Sequence, residues 1–133
     1  MDDEALELAH RMFDLARHGD TAALAGYVDA GVPVEITDPK GDTLLILAAY
    51  HGHPETVAAL LARDADPNRV NDRGQTALAA ATFAQSEDSV TALLDAGGDP
   101  DAGSPSASGA AEYFDLPGMQ ELLQGHGGAP AGS

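Results

Sequence analysis

Apolar side chains return along this chain with a period of 33 residues. Val57, Leu60 and Leu61 are matched one period earlier by Leu24, Tyr27 and Val28, and one period later by Val90, Leu93 and Leu94; a further step of 29 reaches Met119, Leu122 and Leu123. Each triad has i, i+3, i+4 spacing, which is one face of a helix. Gly31 and Gly97 follow their triads at the place where a helix stops on a left-handed residue. Asp64 fills that place between them, and Asp tolerates this backbone better than most residues. Gly41-Asp42-Thr43 is matched by Gly74-Gln75-Thr76, and Asp66-Pro67-Asn68 by Asp99-Pro100-Asp101.

Each unit therefore reads as turn, short helix, tight turn, second helix, loop. A pair of helices this short cannot bury its own apolar face, so the units must stack into a continuous core. Ala48, Ala49 and the run Ala79-Ala80-Ala81 let neighbouring first helices approach closely. The apolar content is mostly Ala and Leu, which favour helix; Val, Ile and Thr are too thin for an all-β protein. The 133 residues suffice for one domain.

The period and the segment GDTLLILAAYHGHPETVAALLARDADPN resemble the ankyrin repeat, whose usual pattern is G-x-TPLHLAA-x-x-GH-x-x-VV-x-LL-x-x-GADVN. The resemblance implies an all-α solenoid of stacked helix-turn-helix units. It predicts a single domain over residues 1–124 with repeats at about 5–37, 38–70, 71–103 and 104–126, and a disordered tail at 125–133. The first and last units look like capping repeats, which are expected to be atypical. Two departures stand out. The family's Pro-Leu-His becomes Leu44-Leu45-Ile46 and Ala77-Leu78-Ala79, so Ile46 and Ala79 replace a polar cross-link with packing. Gln85-Ser86 replaces Gly52-His53, which makes the later inter-helix turn less ideal.

His51, His53 and Glu55 fall within five residues, and each side chain is of a type that binds zinc. The repeat frame gives them other work. Gly52-His53 is the turn between two helices, Pro54 suits the first turn of the second helix, and Glu55 complements that helix's dipole. A His-x-His-x-Glu run across a helix break does not converge on one point, HExxH is absent, and His10, His18 and His126 are isolated. No metal site is expected. There is no Ser–His–Asp partnership, GxGxxG or P-loop, so no catalytic residue, cofactor or enzymatic activity is expected either.

The formal net charge is −16, from 22 acids against 6 bases. Such a field repels nucleic acid and anionic membranes. The absence of Cys excludes disulfide scaffolds and thiolate sites. MDDEALEL has no basic n-region or apolar h-region, and no apolar run approaches a membrane span, so a cytoplasmic location is expected. Five Arg against one Lys, with abundant Ala, Gly and Asp, points to a GC-rich bacterial genome.

The resemblance implies a protein-interaction module, an adaptor or regulator expected to be monomeric in isolation, which binds through its concave face and loop tips. The matching loop positions include Lys40, Asp42, Asp72, Arg73 and Gln75. The matching helix positions include Arg17, His18, Tyr50, His51, Phe83 and Tyr113. Three of the six bases and three aromatic residues fall on this set, and aromatic and Arg enrichment is the composition of a binding hot spot. The alternative reading is an acidic inhibitor, or nucleic-acid mimic, that blocks a basic protein.

Overall fold

Thr43, Thr76 and Ser106 set the frame of the molecule. Each is extended, and its hydroxyl accepts from the backbone N–H three residues on, at 3.1, 3.1 and 3.0 Å. These N-caps start three helices of seven residues each. The computed structural model describes residues 3–127. Its helices are α1 (Asp3–His18), α2 (Thr21–Asp29), α3 (Leu44–Tyr50), α4 (Pro54–Leu61), α5 (Ala77–Phe83), α6 (Glu87–Asp95), α7 (Ala107–Tyr113) and α8 (Pro117–Gly127). Beyond them, the described residues hold only isolated bridges, Thr37 with Thr43 and Gly103 with Ser106.

The odd-numbered helices stack in one row, α1 on α3 on α5 on α7, and the even-numbered ones in a second row, α2 on α4 on α6 on α8. Leu24, Leu60, Leu93 and Leu123, one from each even helix, are all buried between the rows. The faces between first helices are closed by Ala48, Ala49 and Ala77 to Ala81, also buried. Ile46 and Ala79 lie in this core, as expected where packing replaces the polar cross-link.

Helix stops follow the sequence pattern. Gly31, Asp64 and Gly97 all have positive φ, at 112°, 70° and 96°. At the inter-helix turns the left-handed residue is Gly52, then Gln85, then Asp115, at 72°, 58° and 53°. The two non-glycine residues pay a steric cost there of about 1–2 kcal/mol each.

The structure corrects the register at the C-terminal end. Caps, first helices and left-handed turns advance by 30 residues between the third and fourth units, as from Thr76 to Ser106 and from Gln85 to Asp115, and not by 29. Leu123 therefore takes the place of Leu93, and Met119 that of Ser89, while Leu122 is only half-buried. α1 is also longer than the other first helices, at 16 residues. α8 runs to Gly127, so the expected tail at 125–133 begins inside a helix; its remainder, 128–133, lies outside the described residues.

Candidate partner-binding groove

The loops between units form stacked fingers beside the first-helix row. Asp38 and Asn71 build the same turn twice. The Oδ1 of Asp38 accepts from Lys40 N–H and Asp42 N–H, and that of Asn71 from Arg73 N–H and Gln75 N–H, all at 2.9 Å. These Asx turns hold the tips Lys40 and Arg73 in equivalent positions. One finger bonds to the next: Asp72 N–H donates to the Lys40 carbonyl at 3.1 Å, and Ser104 N–H to that of Gly74 at 2.9 Å. Gly41 is required at this contact. Its φ is 78°, and a Cβ there would sit 2.8 Å from the backbone nitrogen of Asp72.

Between the fingers and the helices lies a groove of about 630 Å³. Its walls are Arg17, Lys40, Asp42, Tyr50, His51, Arg73 and Gln75 from the expected set, joined by His10, Phe13, Asp14, Asp38, Pro39, Ile46, Leu47 and Ala80. His18, Asp72, Phe83 and Tyr113 do not line it; all four are exposed. Asp42 is the residue the structure places differently from expectation. It is buried, and its Oδ1 accepts from Asn71 Nδ2 at 2.7 Å, so it ties two fingers together instead of standing free at a tip.

The bases divide by neighbourhood. Arg63 donates to both carboxylate oxygens of Asp29, at 2.8 and 3.0 Å, which lowers the Asp29 pKa and raises its own. Arg69 meets Glu35 at 3.3 Å, and Arg11 donates to the Tyr27 hydroxyl at 3.4 Å. Arg17 pairs with Asp14 at 2.8 Å and stands 3.8 Å from Asp38. Lys40 and Arg73 have no carboxylate within ion-pair distance among the described residues.

Beside the groove runs a ladder of exposed rings. Tyr50 and Phe83 stack with centroids 5.8 Å apart, Phe83 meets Phe114 edge-on at 5.5 Å, and Phe114 meets Tyr113 at 5.0 Å. Tyr50, Phe83 and Phe114 are 48%, 50% and 49% exposed, and Tyr113 82%. Phe114 was missed in the sequence because the 29-residue step put Glu112 and Tyr113 opposite Phe83 and Ala84. The 30-residue step aligns Tyr113 with Phe83 and brings Phe114 onto the ladder.

The histidines resolve into separate roles. His53 Nε2–H donates to the Arg17 carbonyl at 2.7 Å, and its ring packs over Gly19, so it clasps two adjacent inter-helix turns. His18 Nδ1–H donates to the Asp14 carbonyl at 2.8 Å. His51 sits edge-on to Tyr50 at 5.3 Å. Its pKa is held below the ordinary 6.5, first by burial of the ring and then by the positive charges of His53, Arg17 and His18. Among the described residues no three His, Asp or Glu side chains converge as a metal site would require. Nor is any of their helices long and apolar enough to cross a membrane.

Comparison with known proteins fits this architecture. The family model for ankyrin repeats (3 copies) matches residues 12–104. The chain is similar to an ankyrin repeat protein of Pseudomonas aeruginosa, 46% identical over 57 residues, or 43% of this chain and 33% of that protein. It is similar to human ankyrin repeat domain-containing protein 29, 42% identical over 62 residues, or 46% of this chain and 21% of that protein. An L-asparaginase of Dirofilaria immitis is 37% identical over 57 residues, 43% of this chain but only 10% of the enzyme. The matched segment thus spans a third or less of the length of these relatives.

Proposed function

The chain belongs to the ankyrin repeat family, and from that premise we propose that it is an adaptor or regulator that binds another protein along the groove and its aromatic edge. Ankyrin repeats are protein–protein interaction modules, and the family is typically non-enzymatic. The match to the L-asparaginase covers a tenth of that protein and carries no catalytic role here. The observation that supports the reading is the ring ladder. Tyr50, Phe83, Phe114 and Tyr113 present apolar area to solvent on successive units, beside Lys40 and Arg73, which have no ion-pair partner among the described residues. Contiguous exposed apolar surface with Arg and aromatic side chains is the composition of an interaction site.

On this reading Tyr50, Phe83 and Phe114 are the central contacts. Arg17, His18, Lys40, His51, Asp72, Arg73, Gln75 and Tyr113 form the rim, and Asp42 supports the fingers from beneath. The same reading keeps the chain cytoplasmic, and monomeric until it meets its partner. The test is to capture the partner from a host extract on the immobilised chain, identify it by mass spectrometry, and titrate it calorimetrically. The Tyr50→Ala/Phe83→Ala variant should bind more weakly by at least about 2 kcal/mol, with its helical circular dichroism intact. Unchanged affinity in a folded variant would move the interface away from the ladder. Binding that instead collapses with salt and ignores the ladder would favour the acidic-mimic reading, in which the −16 charge meets a basic protein.

A further inference from the structure

We propose that the groove takes an extended acidic segment of its partner, with two carboxylates three residues apart meeting Lys40 and Arg73 and a neighbouring apolar side chain lying on Tyr50 and Phe83. The proposal rests on the reading of this groove as the docking surface and names the chemistry of what docks there. Its first support is the distribution of charge. In a chain with 22 acids and 6 bases, partners for a base are plentiful, and even Arg11, which meets no carboxylate, donates to the Tyr27 hydroxyl. Arg17, Arg63 and Arg69 each have a carboxylate partner. Lys40 and Arg73 have none among the described residues, although both are exposed on one groove and hold equivalent places in successive fingers. A carboxylate from outside is the complement such a pair lacks.

The second support is spacing. Packed helix axes lie about 8–10 Å apart, so equivalent tips on adjacent units are offset by about that distance. An open extended chain with three residues per turn rises about 3.1 Å per residue, so side chains at i and i+3 lie on one side, about 9 Å apart. The Tyr50–Phe83 stack spans the same two units as Lys40 and Arg73, so one short segment reaches both. The acidity of the rest of the surface works with this arrangement. The groove's own acids are already engaged, Asp14 and Asp38 with Arg17 at 2.8 and 3.8 Å and Asp42 with Asn71 at 2.7 Å, so an acidic segment set off Lys40 and Arg73 meets repulsion, which enforces register as much as affinity.

The test uses the full chain and a random 12-residue peptide library displayed on phage, selected at low salt. Selected peptides should carry Asp or Glu at two positions three apart, beside an aromatic or branched aliphatic residue. Their affinity should fall at least about tenfold for Lys40→Glu/Arg73→Glu, as for two reversed rim pairs, and also for Tyr50→Ala/Phe83→Ala. Lys40→Met/Arg73→Met serves as the second charge variant should the reversed one not fold. Peptides without an acidic pair, or with acids at another spacing, would overturn the proposal, as would retention of no peptide at all. Loss of binding with Tyr50→Ala/Phe83→Ala but not with either charge variant would sink the acidic segment and leave the docking surface standing. Indifference to both changes would sink the two readings together. Self-association in sedimentation, dispersed by Tyr50→Ala/Phe83→Ala, would make a second copy the occupant and overturn the acidic partner.

Discussion

Tyr50 and Phe83 occupy the same position in successive units, and their rings lie parallel, 4° apart in plane and 5.8 Å between centroids. The contact is a direct product of the period, since equal register puts equal side chains one above the other. Both rings are half-exposed, so the stack is a surface feature with a modest share of the stability. A double-mutant cycle with Tyr50→Ala and Phe83→Ala should return a coupling of about 0.5–1.5 kcal/mol in urea unfolding. A much larger coupling would show that the rings belong to the core.

Leu60 and Leu93 are the opposite case. They lie at the same register on α4 and α6, and both are fully buried between units. Truncation of either to Ala should cost about 2–5 kcal/mol. In so short an array the loss should appear as one lowered transition, because each unit is held by its neighbours. A change below about 1 kcal/mol would contradict the packing described.

Gln85 stands at φ 58° where the preceding unit has Gly52 at 72°. Gln85→Gly relieves the left-handed strain of a side chain, offset in part by extra freedom of the unfolded chain. The expected outcome is a gain of up to about 1 kcal/mol in chemical unfolding. Gly52→Ala, the converse change, should destabilise by a similar amount. A loss on Gln85→Gly would mean that the Gln side chain contributes something its backbone angle does not reveal.

His51 gives the stability a pH dependence of defined sign. Its folded pKa lies below the unfolded 6.5, chiefly through burial and then through the charges of His53, Arg17 and His18. Between the two values the unfolded chain binds more protons, so stability rises with pH through that window and falls as the medium is acidified from neutrality toward the folded value. His51→Gln should flatten this part of the profile, read from urea midpoints at a series of pH values. An unchanged slope would assign the dependence to other groups.

The parts of the fold that were readable from sequence are those fixed by one residue's own chemistry. Gly31, Asp64 and Gly97 announced left-handed stops because few residues accept that backbone, and all three adopt it. Val57 and Val90 announced a helix face because apolar spacing is local. The last unit misled for a physical reason. Met119, Leu122 and Leu123 have the same i, i+3, i+4 pattern as the other triads, yet the residues that bury most fully are Met119 and Leu123. Spacing fixes a face but not which edge of it turns inward, and the slip of one residue hid Phe114. At the candidate site, the ankyrin resemblance set Lys40 and Arg73 at equivalent loop places in successive units and Tyr50 at a helix place, and all three line one groove. The role of Asp42 was not legible, because a hydrogen bond between unlike residues of different units leaves no periodic trace.

That bond carries the last prediction. Asn71 makes four hydrogen bonds to three residues with one side chain. Its Oδ1 accepts from Arg73 N–H and Gln75 N–H, while its Nδ2 donates to Asp42 Oδ1 at 2.7 Å and to Gln75 Oε1 at 3.1 Å. Both Asn71 and Asp42 are buried, so a lost partner is not simply replaced by water. Asn71→Ala removes the turn acceptor and strands the Asp42 carboxylate, and should cost about 1–3 kcal/mol, or more for the charged group. Asn71→Asp separates the two roles. It keeps an oxygen for the turn but sets a second carboxylate against Asp42, where two like charges cannot both stay ionised cheaply. Its deficit against the parent chain should therefore be largest near neutral pH, and should shrink as acid protonates one of the pair. The measurement is a pair of urea unfolding series, at neutral and at acidic pH, on the parent and Asn71→Asp chains. A deficit that is constant across pH would show that the link between the fingers is steric and not a charge-assisted hydrogen bond.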